Sequence, residues 1–510
     1  MDWSSGYVAD INYTYGYYPA LNPMNLRLSL LFAGIKPPKI NQACELGFGQ
    51  GISINCHSAG TSVAWSGNDF NPAHTSFATE VNLAAGCSAH LSDDDFEKFC
   101  SNTNLPDFDF IALHGIWSWI SEANRTVIVD FIGRKLNVGG AVYLSYNSQN
   151  AWANMIPLRD LITYYANVME PSGSGRIGGI NGALKFAEKL ETVNPKFFRA
   201  NSNLKIRLND LKKRSREYLA HEYFNKDWEA INFARLSESL SQAKLSYVAP
   251  ANHLDAIDEI NLTKNQRELL DEVSDPVLYQ VVRDFCVNSQ FRAEYWVKGP
   301  RKLTPIERRS SLESIRVVLI HKREDVALET KGDLGEVKLN GSVYLPILKY
   351  LGDHKARSIF EIHQELKDKG LDLLMIVQAV MVLVGKKAMG LVQKDEEILS
   401  AKDKTDRLNT YFIRHAYGSK EIGYLVSPVT GGGVPCSRIE KIFLAAKLKG
   451  KSRPKELAEF AWQIVSSQNQ RIIKDGKEIN NSKDSIEYLT NEAKDFDAKQ
   501  VPVLKALGIL

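Results

Sequence analysis

The residues best suited to chemistry begin at Glu45-Leu46-Gly47-Phe48-Gly49-Gln50-Gly51, an acid followed by glycines spaced in twos. Glycine at such a junction permits positive φ and lets the backbone approach a ligand with no Cβ in the way. The spacing departs from the dinucleotide pattern G-x-G-x-x-G, whose third glycine packs a helix beneath a pyrophosphate. A carboxylate beside these glycines suits a ligand without phosphate but with a cationic amino-acid end, and S-adenosylmethionine is such a ligand. Asp69 lies 18 residues past Gly51, in Asn68-Asp69-Phe70-Asn71-Pro72. At the tip of a second strand an acid can hydrogen-bond both ribose hydroxyls. In Ser92-Asp93-Asp94-Asp95-Phe96, Asp94 or Asp93 is the candidate acceptor for an adenine amino group, unless the cluster is a solvated helix start. His114 ends a further strand over the same crevice, as a site residue or as a satisfied buried histidine.

These positions need a parallel sheet to hold them, and the first 150 residues alternate short apolar runs with helical patterns, as such a sheet requires. Strands are expected to end at Leu46 and Asp69 and to run over Phe108–Leu113 and Ala141–Tyr146, with a turn at Asn137–Gly140. From Trp152 to Glu217 the pattern is helical, interrupted at Pro171-Ser172-Gly173-Ser174-Gly175. Strands return at Leu245–Ala249 and Phe291–Lys298. The expectation is a Rossmann-like α/β unit over 1–300: a cofactor core at 1–150, a helical insertion at 151–216 for acceptor binding or dimerisation, and completion of the sheet at 217–300. Gly299-Pro300-Arg301-Lys302 and the polar run to Ser311 read as a linker. Residues 312–400 suggest a winged-helix-like unit, with helices at Ser342–Leu351, Ser358–Lys367 and Leu373–Val384 and a wing near Leu391–Leu399. Residues 401–510 read as helical, apart from the glycine-rich loop Thr430–Pro435.

The 510 residues carry 63 Lys and Arg against 60 Asp and Glu, a formal charge of +3, so no overall nucleic-acid footprint is present. The six cysteines form no Cys-x-x-Cys pair, which argues against a zinc ribbon, an iron–sulfur cluster or a disulfide scaffold; no metal is expected. The N-terminus Met1–Tyr7 has no signal-peptide pattern, and the most apolar run, Leu373–Val384, falls short of the ~20 residues a membrane span needs. A cytoplasmic protein is expected. Gly173–Gly178 fits G-x-G-x-x-G, but it follows a helix and is read as a flexible loop. The basic run Lys212-Lys213-Arg214-Ser215-Arg216 is read as a solvated helix face. Tyr13, Tyr15, Tyr17 and Tyr18 are either core aromatics or a lid over a cationic cofactor, since aromatic faces attract cations by about 0.5–2 kcal/mol.

With these motifs in view, the chain resembles class I S-adenosylmethionine-dependent methyltransferases, in particular the bacterial group with a methyltransferase regulatory domain. That group includes the rickettsial-type lysine methyltransferases of outer-membrane protein B. The resemblance rests on Tyr15-Gly16-Tyr17-Tyr18-Pro19, Cys44-Glu45-Leu46-Gly47, Asp69-Phe70-Asn71-Pro72, His114-Gly115 and Ser145-Tyr146-Asn147. It continues in Leu219-Ala220-His221-Glu222-Tyr223, Lys298-Gly299-Pro300-Arg301 and Ser427–Gly433. Asn68 departs from it, standing where an apolar residue is expected. The resemblance implies S-adenosylmethionine held by Tyr17, Tyr18, Glu45, Gly47, Gly49, Gly51, Asp69, Phe70, Asn71, Asp93, Asp94 and His114. It implies an acceptor pocket of Tyr146, Asn147, Trp117, Trp119, His221, Glu222 and Tyr223, with Glu222 as a proton acceptor. The expected acceptor is a protein lysine; a glycan or other small molecule is the alternative, and a catalytically silent scaffold a further one.

Overall fold

A computed structural model describes residues 7–8, 11, 13–169, 175–474, 477–479 and 481–510. Met1–Gly6, part of the segment read for targeting, and Pro171–Ser174, most of the loop read before Gly175, lie outside the described residues.

Seven strands form one sheet in the order β3-β2-β1-β4-β5-β7-β6. They are β1 Gln42–Leu46, β2 Ala64–Asn68, β3 His90–Ser92, β4 Phe108–Leu113, β5 Leu136–Asn147, β6 Leu245–Pro250 and β7 Phe291–Lys298. All neighbours from β3 to β5 pair in parallel, and β7 runs antiparallel between β5 and β6. Helices α1 Pro23–Phe32, α2 Ile52–Gly60, α3 Pro72–Ala84, α4 Phe96–Ser101 and α5 Glu122–Lys135 belong to this half of the chain. The central strands are apolar on both faces because helices cover both: in β4 only Asp109 is not fully buried. The chain moves outward from β1 to β3, then returns to β4 on the other side of β1. This reversal opens a crevice at the carboxyl ends of β1 and β4, the usual ligand position in such sheets.

After β5 the described chain is helical through α6 Gln149–Trp152, α7 Ile156–Val168, α8 Gly175–Thr192, α9 Lys196–Ala200, α10 Asn203–Lys213 and α11 Arg216–Tyr223. These helices share a separate core of Trp152, Leu158, Ile162, Leu184, Leu208 and Leu219 with Val8 of the N-terminal segment. Arg159 ties the end of α11 to α7 by donating to the carbonyls of Tyr223 at 2.8 Å and Asn225 at 2.7 Å. A cation at a helix C-terminus satisfies carbonyls that the helix itself leaves open.

Several local expectations are corrected. Asn137–Gly140 is not a turn: it lies within β5, where a register shift opposite Phe108/Phe110 absorbs the glycines. The expected linker contains the helix Pro305–Glu313, started by a capping box between Thr304 and Glu307. The wing at Leu391–Leu399 is a strand, Met389–Val392, that passes directly into the helix Asp395–His415. That strand pairs with Arg316–Leu319, which the sequence reading missed. Gly175–Gly178 begins α8 rather than a loop. Thr430–Pro435 is not an irregular loop either: Gly432–Pro435 pairs with Tyr424–Ser427 as a hairpin.

That hairpin reaches back to the start of the chain. A Cβ on Gly433 would lie 2.8 Å from the Tyr17 ring, and one on Gly432 would lie 2.2 Å from the Tyr17 hydroxyl. Asn22 donates to the Thr430 carbonyl at 3.0 Å, and Gln393 donates to the carbonyls of Gly60 and Pro428 at 2.7 and 2.8 Å. Tyr17 therefore sits in a core shared by α2 and the C-terminal helices. Among the described residues no helix is long and apolar enough to cross a membrane.

Candidate active site

The glycine turn after β1 has the backbone its composition calls for. Gly47, Gly49 and Gly51 take φ of 70°, 58° and 70°, a left-handed region that costs other residues about 1–2 kcal/mol. A Cβ on Gly47 would come within 2.3 Å of Ile116, and one on Gly51 within 2.4 Å of the Ala78 Cβ. Replacing Gly51 by Val is expected to destabilise the protein by about 3–4 kcal/mol, strain and overpacking together. Chemical denaturation would measure this, and a loss below 1 kcal/mol would contradict the packing described.

Asp69 anchors the turn from the neighbouring strand. Its carboxylate accepts the Gly49 N–H at 2.8 Å and the Asn71 N–H at 3.1 Å, and it contacts His74 Nδ1 at 3.0 Å. Glu45 is 2% exposed, and among the described residues its Oε2 has no hydrogen-bond partner. Burial first, and the nearby Asp69 charge second, raise its pKa well above the ordinary carboxylate value. A buried carboxyl oxygen left unpaired beside a glycine turn fits the ammonium end of a ligand, whose charge would offset that penalty.

Two chambers open at the carboxyl ends of the strands. The first is lined by Tyr7, Gly47, Gly49, Asp69 and Phe70 and by Asp95, Phe96, Ile116, Ile120, Asn124 and Asp227. The apolar faces of Phe96, Ile116 and Ile120 beside the polar groups of Asp95 and Asn124 suit a flat heteroaromatic base, and the aspartate at the tip of β2 suits a ribose. The residues present thus fit S-adenosylmethionine. The second chamber is lined by Tyr18, Asn147, Trp152, Tyr218, His221, Glu222, Tyr223 and Phe291, with Arg207, Asp210 and Arg214. Tyr13, His114, Gly115 and Trp119 belong to both walls and form the throat between them.

His114 stacks on Tyr18, with ring centroids 3.5 Å apart, and its Nδ1 meets the Tyr143 hydroxyl at 2.7 Å. Burial holds its pKa down at about 3, so the throat contains a neutral imidazole that does not repel a cation. Glu222, at the end of α11, has its pKa raised to about 7 by burial. Asn147 is 3% exposed, and its Nδ2 is buried without a partner among the described residues.

The expected site residues divide accordingly. Gly47, Gly49, Asp69, Phe70 and His114 line the first chamber, and Asn147, His221, Glu222, Tyr223 and Tyr18 the second. Glu45 and Gly51 lie behind the turn. Asn71 is spent on capping α3, where its side chain accepts the Ala73 N–H at 3.0 Å. Asp93 is exposed and Asp94 pairs with Lys98; neither lines a chamber, whereas Asp95 does. Tyr17 points into the C-terminal core and Tyr15 against Phe77, so the lid residues of that group reduce to Tyr13 and Tyr18. Trp117 is buried in the core of the sheet. Tyr146 faces away from the chambers, its hydroxyl 3.3 Å from Glu294 in a buried network with Arg292 and Asp284. Tyr146→Phe is therefore expected to cost about 1 kcal/mol of stability and to leave the rate of methyl transfer within twofold. A large loss of turnover in a folded variant would return Tyr146 to the site.

The sequence reading missed Tyr7, Asp95, Phe96, Ile116, Asn124, Trp152, Asp227 and Tyr218. Only Asp95 and Phe96, adjacent to the acids singled out, carried a signal.

Comparison with known proteins agrees with this architecture. Residues 215–298 match the family model described as a predicted methyltransferase regulatory domain. An uncharacterized protein of Synechocystis, sll1526, is 37% identical over 518 residues, covering 100% of both chains. The uncharacterized protein RP789 of Rickettsia prowazekii is 26% identical over 306 residues, 56% of this chain and 53% of its own. Among solved structures, PKMT2 from Rickettsia typhi in complex with AdoHcy superimposes with a TM-score of 0.71 at 16% identity, over 98% of this chain and 99% of that one. Kinship with sll1526 runs the length of the chain, and the two belong to one family; the regulatory-domain match begins on the helix that brings Glu222 to the second chamber, and the fold is that of S-adenosylmethionine-dependent methyltransferases.

Proposed function

We propose that the protein transfers the methyl group of S-adenosylmethionine to the side-chain amine of a protein lysine. One observation carries this reading: an aromatic chamber containing Glu222 joins the cofactor chamber through the throat of Tyr13, His114, Gly115 and Trp119. Asp69 would hold the ribose, with Phe96 and Ile116 against the base, while Glu45 would act on the amino end from behind the glycine turn, through its charge and not by contact. When bound, the cofactor supplies a methyl carbon activated by its sulfonium.

The chain's own task is to deliver a neutral amine in line with that carbon. A lysine with pKa near 10.4 needs about 4–5 kcal/mol to lose its proton at pH 7. Desolvation by Tyr13, Tyr18, Trp119 and Trp152 lowers the amine's pKa, while their faces still attract the entering cation. Glu222 takes the proton at its carboxylate. The amine so deprotonated would stand in line with the methyl carbon, its lone pair free to take the methyl group as the sulfonium becomes a neutral thioether. Near-attack positioning of this kind supplies about 7–11 kcal/mol in favourable cases.

The test is to incubate the protein with methyl-labelled cofactor and a whole-cell extract. Label should enter protease-sensitive material and be recovered as methyl-lysine after hydrolysis. Label confined to carbohydrate or small molecules would overturn the proposal.

A further inference from the structure

We infer that the acceptor is an acidic polypeptide whose target lysine is flanked by Asp or Glu, read by Arg207 and Arg214 at the mouth of the second chamber. The inference rests on the lysine reading above and narrows it.

The helical insertion has a charge that the whole chain conceals. Residues 175–216 contain 11 Lys or Arg against 3 Asp or Glu, a formal +8, whereas the whole chain carries only +3. All three of those acids are already engaged: Glu188 with Lys212, Glu191 with Lys205 and Asp210 with Lys213. The surplus is therefore cationic, and part of the run that read as a solvated helix face turns toward the chamber. Arg207 and Arg214 both line it.

The two guanidiniums are held by aromatic rings rather than by carboxylates. Arg207 lies over Trp152 at 5.9 Å and Arg214 over Tyr218 at 5.4 Å. Among the described residues neither pairs with an acid. A guanidinium set against a ring rather than a carboxylate keeps N–H donors free, and its planar fork matches a carboxylate bidentately. Glu222, on α11 beyond the arginines, offers the lysine the opposite sign. Cationic mouth and acidic interior together select a chain in which acids flank a lysine. A nucleic acid would satisfy the mouth but leave Glu222 facing its phosphates.

The experiment uses two fluorescent peptides that differ only in the residues beside a single lysine, Asp and Glu in one and Ser in the other. Binding is read by anisotropy on the full-length protein saturated with S-adenosylhomocysteine. The acid-flanked peptide should bind about tenfold tighter at low salt, and the advantage should shrink as salt rises. It should vanish in Arg207→Gln/Arg214→Gln. In Arg207→Glu/Arg214→Glu the order should turn in favour of a Lys-flanked peptide, an outcome that a misfolded variant does not produce. Equal binding of the two peptides, or an acidic preference that survives charge reversal, overturns the inference. So does displacement by an oligonucleotide of equal charge as effective as the acidic peptide itself. Selective binding of the acidic peptide with no transfer of label leaves this inference standing and overturns lysine methylation instead.

Discussion

Replacing Glu222 by Gln is expected to lower kcat about 100- to 1,000-fold at pH 8, the range typical of a lost general base, with cofactor affinity held within twofold. The amide fills the same volume at the end of α11, so the chamber keeps its shape and only proton acceptance is removed. The pH profile separates this from a packing effect. With a pKa of about 7, Glu222 is protonated at pH 6 and ionised at pH 8, so kcat should rise through neutrality in the unaltered protein. The rise should be absent in the variant. Stability should move the other way. Because the folded-state pKa is raised above the ordinary 4.5, the stability linked to this group is fully present below about pH 4.5 and is lost as pH rises through about 7. At pH 8 the Gln variant should therefore be more stable, by up to about 3 kcal/mol. Full turnover with an unchanged pH profile would remove Glu222 from the mechanism.

Asp69→Asn is expected to weaken cofactor binding about 100- to 1,000-fold, read by calorimetry with S-adenosylhomocysteine. The Asp69 carboxylate fixes the turn through Gly49 and the start of α3 through Asn71, and its remaining lone pairs are available to ribose hydroxyls. An amide offers one acceptor oxygen and turns N–H groups toward donors that the carboxylate received. Hydrogen bonds to a charged group contribute about 1.5–3 kcal/mol each, so losing one to the turn and one to the ribose at the lower end of that span, about 3–4 kcal/mol together, accounts for the range. Binding within threefold of the unaltered protein would place the ribose elsewhere.

The core of the sheet was legible in the sequence because parallel strands buried on both faces are nearly continuous apolar runs, as in Phe108–Leu113. Its strand ends also located Asp69 and His114. What failed was the direction of neighbouring side chains. Tyr146 and Asn147 are adjacent in β5, where successive residues face opposite sides, so only Asn147 reaches a chamber. Tyr17 and Tyr18, also adjacent, divide between the C-terminal core and the second chamber. Asp93, Asp94 and Asp95 have the same composition, and only the capping of α4 decides which of them stands at the wall. The second chamber draws Trp152, Arg207, Tyr218 and Glu222 from helices far apart in the chain, and helical periodicity says nothing about how separate helices meet. The strand Arg316–Leu319 was missed because four residues give too little pattern to distinguish it from a helix end.

The seat of Tyr17 between α2 and the hairpin at Tyr424–Pro435 has a consequence for how the molecule is maintained. The tail clasps the segment that leads to Tyr18 and, through Gln393, the end of the helix that follows the glycine turn. Catalytic half and tail are therefore halves of a single clamp. Loosening the last hundred residues would free the tyrosine that stacks on His114, so a fault distant from the chemistry would be felt at the passage where donor and acceptor meet.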